Sequence, residues 1–285
     1  MTGTAPFLPP DRLPGPDLPV RGRRHPWRWI AGGLVLLLLA LLVRAFAEGN
    51  IRWAIVGEFL TAPVILKGFA WTLLITFAAL ALGIFLGFAF GMMRLSANPV
   101  LRFASWLYVW IFRGTPVLLQ LLIWFNIALI FPTFYVPGVI EVKMVVVMTP
   151  FVAAVLGLGV NEGSYLTEVV RGGILSVDRG QVEAANTLGM TPGQTMRRII
   201  LPQTMRLILP VLGNSAVGML KFSSLAATIA MTEMLNAAQR IYFINGAVIE
   251  LLFVCALWYL AGTTVLSIGQ YYLERHFGRS HGDRA

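Results

Sequence analysis

Six runs of apolar residues, at about 28–47, 67–93, 104–131, 144–167, 207–230 and 246–272, constrain this chain more than any other feature. Each reaches the ~20 residues that a helix rising ~1.5 Å per residue needs to cross a ~30 Å hydrocarbon core. Only 12% of the residues are charged, about half the ~25% usual for a soluble domain. The material for a solvated surface is missing, so most of the exterior must face something apolar. An all-α membrane protein is expected.

The net charge of +9 does not describe a nucleic-acid surface, because the arginines lie between apolar runs. Their placement sets an orientation instead, since basic residues collect on the cytoplasmic side. Arg12, Arg21, Arg23, Arg24 and Arg28 precede or open the first span. Alternation from there puts Arg94, Arg102, Arg171, Arg179, Arg197, Arg198, Arg206, Arg275, Arg279 and Arg284 on the same side. Arg52, Lys67, Lys143 and Arg240, with Glu48, Glu58, Glu141 and Glu233, fall opposite. Both termini are predicted cytoplasmic.

Residues 1–26 hold seven prolines and read as an unpacked cytoplasmic tail. The leading helix over 27–47 also has the basic flank, leucine run and Ala45-Phe46-Ala47 of a signal peptide. Cleavage would leave five spans in the same orientation. Trp27 and Trp29 look like interfacial anchors, so we expect it to be kept. Residues 276–285 form a second tail. Cys255 sits alone in an apolar run, which excludes an internal disulfide and reads as packing.

The connection 168–206 breaks the apolar pattern. Residues 180–189 predict a short helix closed by Gly189 in a left-handed cap. Thr191-Pro192-Gly193-Gln194 fits a capping box, opening a second helix to Leu201 that stops near Pro202. Two short helices about a sharp turn would make a stiff protrusion, with small Ala184 and Ala185 on its surface allowing close approach of a partner.

Glu183-Ala184-Ala185, Gly189, Ile199 and Leu201-Pro202, at these spacings, resemble the cytoplasmic loop motif of binding-protein-dependent ABC importer permeases. Arg113-Gly114-Thr115-Pro116 with Gln120, residues 164–174, Leu209-Pro210 with Gly213-Asn214, and residues 221–225 narrow the resemblance to the polar amino-acid branch, the histidine, glutamine and glutamate permeases. It covers about 66–275. It implies a five-span permease core beyond the leading helix, and ATPase coupling through Glu183, Ala184, Ala185, Gly189, Leu201 and Pro202. The implied partners are ABC ATPase subunits, an external solute-binding protein, a second permease copy or paralogue, and lipid. No cofactor is implied for this chain, ATP and Mg belonging to the partner ATPase. Phe222 departs from the pattern, where the family usually has a polar residue, and Asn161-Glu162-Gly163 is a less common variant.

Residue chemistry agrees with a transport subunit that is not itself an enzyme. Gly213 to Gly218 has P-loop glycine spacing, but Met219 follows where a lysine is needed. His25, His276 and His281 all fall in the terminal tails, so no histidine metal centre is visible. Ionisable residues inside spans are costly and mark pathways by default. Lys221 and Glu162 are therefore pathway candidates, against a structural ion pair or subunit contact. Gln120 and Asn214 could bond an amino acid, or bond between helices. Arg113 to Pro116 reads equally as a span break beside a polar passage or as a proline kink with a snorkelling arginine. Gly83, Gly87 and Gly91, four apart, read as a packing ridge. An ion-driven transporter would leave the docking loop unexplained, and a non-transporting scaffold that binds a partner through that loop is told apart by whether disrupting Ala184 and Gly189 abolishes substrate uptake.

Overall fold

The structure is a computed structural model, and it describes residues 26–136 and 140–278. The sequence assignments of residues 1–25 and 279–285 as tails lie outside the described residues. By internal contacts the chain forms two units, Met1–Ile51 and Arg52–Ala285. In the first, α1 (Pro26–Glu48) is an apolar helix, with Arg44 paired to Glu48 at 2.8 Å near its end.

The second unit begins with a short helix the sequence reading did not foresee, α2 (Trp53–Leu60). Then come α3 (Pro63–Leu95), α4 (Pro99–Gly114) and α5 (Val117–Phe125). A two-stranded antiparallel hairpin follows, β1 (Thr133–Val136) and β2 (Ile140–Lys143), with Phe134 opposite Val142. The single helical turn α6 (Met144–Val147) leads into α7 (Pro150–Leu175). Beyond it are α8 (Arg179–Thr187), α9 (Pro192–Thr195), α10 (Leu201–Phe222), α11 (Met234–Asn245) and α12 (Val248–Gly278).

Three helices open in the same way. Asn98 before Pro99, Thr149 before Pro150 and Thr191 before Pro192 each cap a backbone N–H with the side chain, and proline fills the first turn. Proline costs nothing there, because the N–H it lacks has no helical partner anyway.

Four described helical stretches are long and apolar enough to cross a membrane: Trp27–Glu48, Pro63–Leu95, Pro192–Ile229 and Val248–Arg275. A fifth span results if α4 and α5, bent by 104°, count as one. The sequence-predicted span at 144–167 is shifted to α7, 26 residues long, which carries Glu162, Glu168 and Arg171 and is not among the four. It packs against α3, α4, α5 and α10, so protein covers what lipid could not.

The α3–α7 contact is the closest in the bundle. A Cβ on Gly83 would lie 3.2 Å from Cβ of Glu162, one on Gly87 2.5 Å from Cβ of Leu166, and one on Gly91 2.8 Å from Val170. Gly159 and Gly163 reciprocate against Ala79 and Leu86. The glycine ridge read from the sequence is thus one side of an interlocked pair of small-residue faces. At the far end Glu233, fully buried, caps α11 through the N–H groups of Leu235 and Asn236 and accepts from Tyr259 and Thr72 hydroxyls. Cys255 is buried, as packing requires.

One expectation fails. The helix begun at Pro192 does not stop near Pro202; it runs on through a π turn, Met196–Ile200, into α10 as one stretch to Ile229. Widening the helix by a residue shifts the hydrogen-bond register just ahead of the proline, so its missing N–H falls in the first turn of α10.

Candidate functional site

The bend between α4 and α5 leaves the last carbonyls of α4 without helical partners. Gln120, only 5% exposed, turns back to supply them. Its Nε2 donates to the carbonyls of Phe112 at 2.9 Å and Thr115 at 3.0 Å, and lies 2.8 Å from the Thr115 hydroxyl. Asn161 on α7 donates to the same Phe112 carbonyl at 2.8 Å and to Gln120 Oε1 at 3.3 Å. Tyr108 pins α4 to α7 through the Val160 carbonyl at 2.7 Å. Of the two readings of Arg113 to Pro116, the break is the one that forms, because side chains from α5 and α7 satisfy it.

Beside the break lies a cavity of about 930 Å³. The break itself, Arg113 to Val117, forms one wall; Asn161, Glu162 and Tyr165 of α7 form another; Val211, Asn214, Ser215, Gly218 and Phe222 of α10 form the third. Ser215 hydrogen-bonds the Glu162 carboxylate. Positions 211, 214, 215, 218 and 222 repeat at three and four residues, one face of a helix. Glu168 sits at one margin, held by Arg171 at 2.8 Å and Arg94 at 3.8 Å.

Sequence-named residues divide accordingly. Glu162 and Asn214 line the cavity. Gln120 is spent on backbone carbonyls, and Lys221 is exposed at the last turn of α10, outside the cavity lining. Ser215 and Tyr165 were not singled out by sequence. Their only signal was position, one helical turn or less from Gly218 and Glu162. Phe222, the departure from the family pattern, contributes a half-exposed ring to the lining.

The second candidate region is the connection around α8. Asp178 caps its start through Gly180 N–H at 2.7 Å. Gly189 adopts φ +72°, with its N–H on the Asn186 carbonyl at 3.0 Å and the Met190 N–H on the Ala185 carbonyl at 3.1 Å. That paired closure is the one a left-handed glycine cap makes. The Thr191–Gln194 capping box is present in both directions, at 3.4 and 2.9 Å. Gln203 Nε2 reaches Gln181 Oε1 at 2.6 Å, tying α8 to α10.

Ala185 corrects the sequence reading. It is 1% exposed, turned into the protein as the foot of α8, and offers a partner nothing. Glu183, Ala184 and Gly189 are exposed, as is Leu188 at 81%, which the sequence reading missed. Ala184 and Leu188, four apart, share a face. Leu201 is half-buried, and Pro202 is exposed at the start of α10.

Apolar helices around a polar cavity at a broken span, with a stiff helical protrusion, define a membrane transport subunit. The chain belongs to the family described as binding-protein-dependent transport system inner membrane component, which it matches over residues 79–279. It is the membrane-spanning subunit of an ABC importer, whose ATP hydrolysis takes place on a separate subunit. It is 39% identical over 257 residues to the arginine transport system permease protein ArgU of Corynebacterium glutamicum, covering 89% of this chain and 81% of that one. With the glutamine transport system permease protein GlnP of Escherichia coli it shares 31% over 214 residues, 75% and 92% of the two chains. Among solved structures, an amino acid ABC transporter with histidines aligns at TM-score 0.66 and 32% identity, over 75% of this chain and 94% of that one. The MetNI methionine ABC transporter, inward facing, has the same fold at TM-score 0.62 and 18% identity, over 75% and 96% of the two chains.

Proposed function

We propose that this chain imports amino acids with a cationic side chain, as half of a dimer with a second copy or a related permease. The observation that carries the reading is the cavity at the broken span, whose lining sets the Glu162 carboxylate, in no ion pair among the described residues, with the neutral groups of Asn214 and Ser215. A partly buried carboxylate in a cavity wall favours a cationic ligand over a neutral one. The 39% identity to an arginine permease points the same way.

An external solute-binding protein delivers the amino acid, and paired ATPases carrying ATP and Mg drive alternating access. The α8 region, through Glu183, Ala184, Leu188 and Gly189, receives the ATPase on the cytoplasmic side. Ala185, Leu201 and Pro202 support it from behind. With that side inward, both termini are cytoplasmic. The transport domain spans 66–275, the α8 connection included. Glu162 and Asn214 contact the substrate, Gln120 shapes the wall, and Lys221 lies further along α10 toward the outer mouth.

The test is reconstitution of the permease with its ATPase and binding protein in proteoliposomes. ATP-dependent accumulation of L-arginine in preference to L-glutamine is expected. Equal or reversed preference would overturn the cationic assignment. Gentle purification should also recover an ABC-type ATPase by mass spectrometry, and its reproducible absence from functional protein would remove the coupling assignment.

A further inference from the structure

The cavity has a second charged pole. Arg113, the last basic residue of α4, lines the cavity at the break, with its guanidinium 4.9 Å from the centre of the Tyr165 ring. Two carboxylates share the lining with it, and neither is paired to it. The nearest carboxylate of the lining other than Glu162 is that of Glu168, already shared by Arg171 at 2.8 Å and Arg94 at 3.8 Å. Arg113 makes no ion pair among the described residues. A guanidinium stacked on an aromatic ring keeps its edge donors available, because the ring takes only its face. Tyr165, beneath the guanidinium, follows Glu162 by three residues on α7, about 4.5 Å of rise, so adjacent turns of one helix carry the acidic pole and the ring that holds the basic one.

We infer that Arg113 is the anchor for the substrate's α-carboxylate, opposite Glu162. This rests on the amino-acid reading above and names the group that selects for an amino acid over a simple amine. The arginine stands in the last turn of α4, in the cavity lining, and the turn at Gly114 to Pro116, held by Gln120 and Asn161, leads the chain away beside it and leaves that helix end at the cavity edge. A planar fork of donors matches a carboxylate in two parallel bonds, which a lysine cannot reproduce.

The experiment measures direct binding to the purified permease–ATPase complex, without the binding protein, using L-arginine and L-argininamide. The amide keeps the side chain and ammonium and lacks the carboxylate. Wild-type complex should bind L-arginine more tightly, and Arg113→Gln should weaken L-arginine roughly 10- to 100-fold. The same substitution should leave L-argininamide unchanged or improve it, since a like charge is removed. Arg113→Lys should restore part of the loss. If Arg113→Gln weakens both ligands equally, the residue only supports the fold and the assignment is overturned. If wild-type complex binds neither ligand, the substrate reading itself fails, and the two failures are distinguishable.

Discussion

Asn161 on α7 donates to the Phe112 carbonyl of α4 at 2.8 Å, the same oxygen that Gln120 of α5 reaches at 2.9 Å. Two amides from two helices thus close the end of a third. The next residue after Asn161 is Glu162, in the cavity wall. The clamp that makes the broken span tolerable therefore also fixes the wall that bears the candidate ligand.

Gln120→Leu should destabilise the protein by about 1–3 kcal/mol, because buried carbonyls lose their donor. Gln120→Glu should be worse, since a carboxylate has no N–H to give and faces three oxygens. Melting of the detergent-solubilised protein, followed by fluorescence or light scattering, would rank the three. A Glu variant as stable as wild type would mean the carbonyls find other donors.

The α3–α7 contact gives a sharper steric test. A methyl at Gly87 would lie 2.5 Å from Cβ of Leu166 and 3.2 Å from its carbonyl carbon, both fixed by the backbone. Gly87→Ala should cost about 1–3 kcal/mol by overpacking. Gly57→Ala is the control: nothing lies within 4 Å of the added carbon, and alanine in a helix is favoured over glycine by up to about 1 kcal/mol. Equal melting temperatures for the two variants would refute the close approach.

Gly189→Asp should leave insertion and folded yield intact and uncouple ATP hydrolysis from import. The turn at φ +72° is open, with nothing within 4 Å of an added Cβ, and aspartate is among the few side chains tolerated in that region. Damage should then arise at the docking face, where a new charge beside Leu188 meets the ATPase. Gly189→Asn, with similar backbone tolerance and no charge, should retain more import. ATPase turnover and uptake measured on the same proteoliposomes separate these effects, and normal import by the aspartate variant would sink the coupling role.

Much of this architecture is legible in residue order because its signals are local. The caps at Thr191 and Gly189, the break at Arg113 to Pro116 and the glycine spacing at 83, 87 and 91 each depend on neighbours within a few positions. What escapes is decided across helices. Nothing near Ala185 tells which of two adjacent alanines turns inward; that depends on what packs against α8, including α9. Gln120 reads as a ligand or an interhelical bond until the bend of 104° puts the Phe112 carbonyl within its reach. Pro202 reads as a stop, and a one-residue π widening carries the helix through it. The paired strands Thr133–Val136 and Ile140–Lys143 lay between the apolar runs at 104–131 and 144–167, where the reading placed only a connection. Glu233 was read as an outer charge because its four donors come from residues far apart in sequence or just beyond its own helix start.

Glu162→Gln isolates charge from shape at the centre of the site. The amide keeps the size of the side chain and can still accept from Ser215, so the α7–α10 contact and the clearance over Gly83 are preserved. Melting should therefore change little. Uptake of L-arginine should fall roughly tenfold or more, the loss associated with one charge-assisted hydrogen bond to the substrate. The decrease should show as a raised KM for delivered substrate, with the basal ATPase rate of the complex unchanged. Ser215→Ala should have the same sign and a smaller size, because it only orients the carboxylate. A Glu162→Gln variant with unaltered L-arginine uptake would remove the acidic pole from the pathway and leave that carboxylate a purely structural link between α7 and α10.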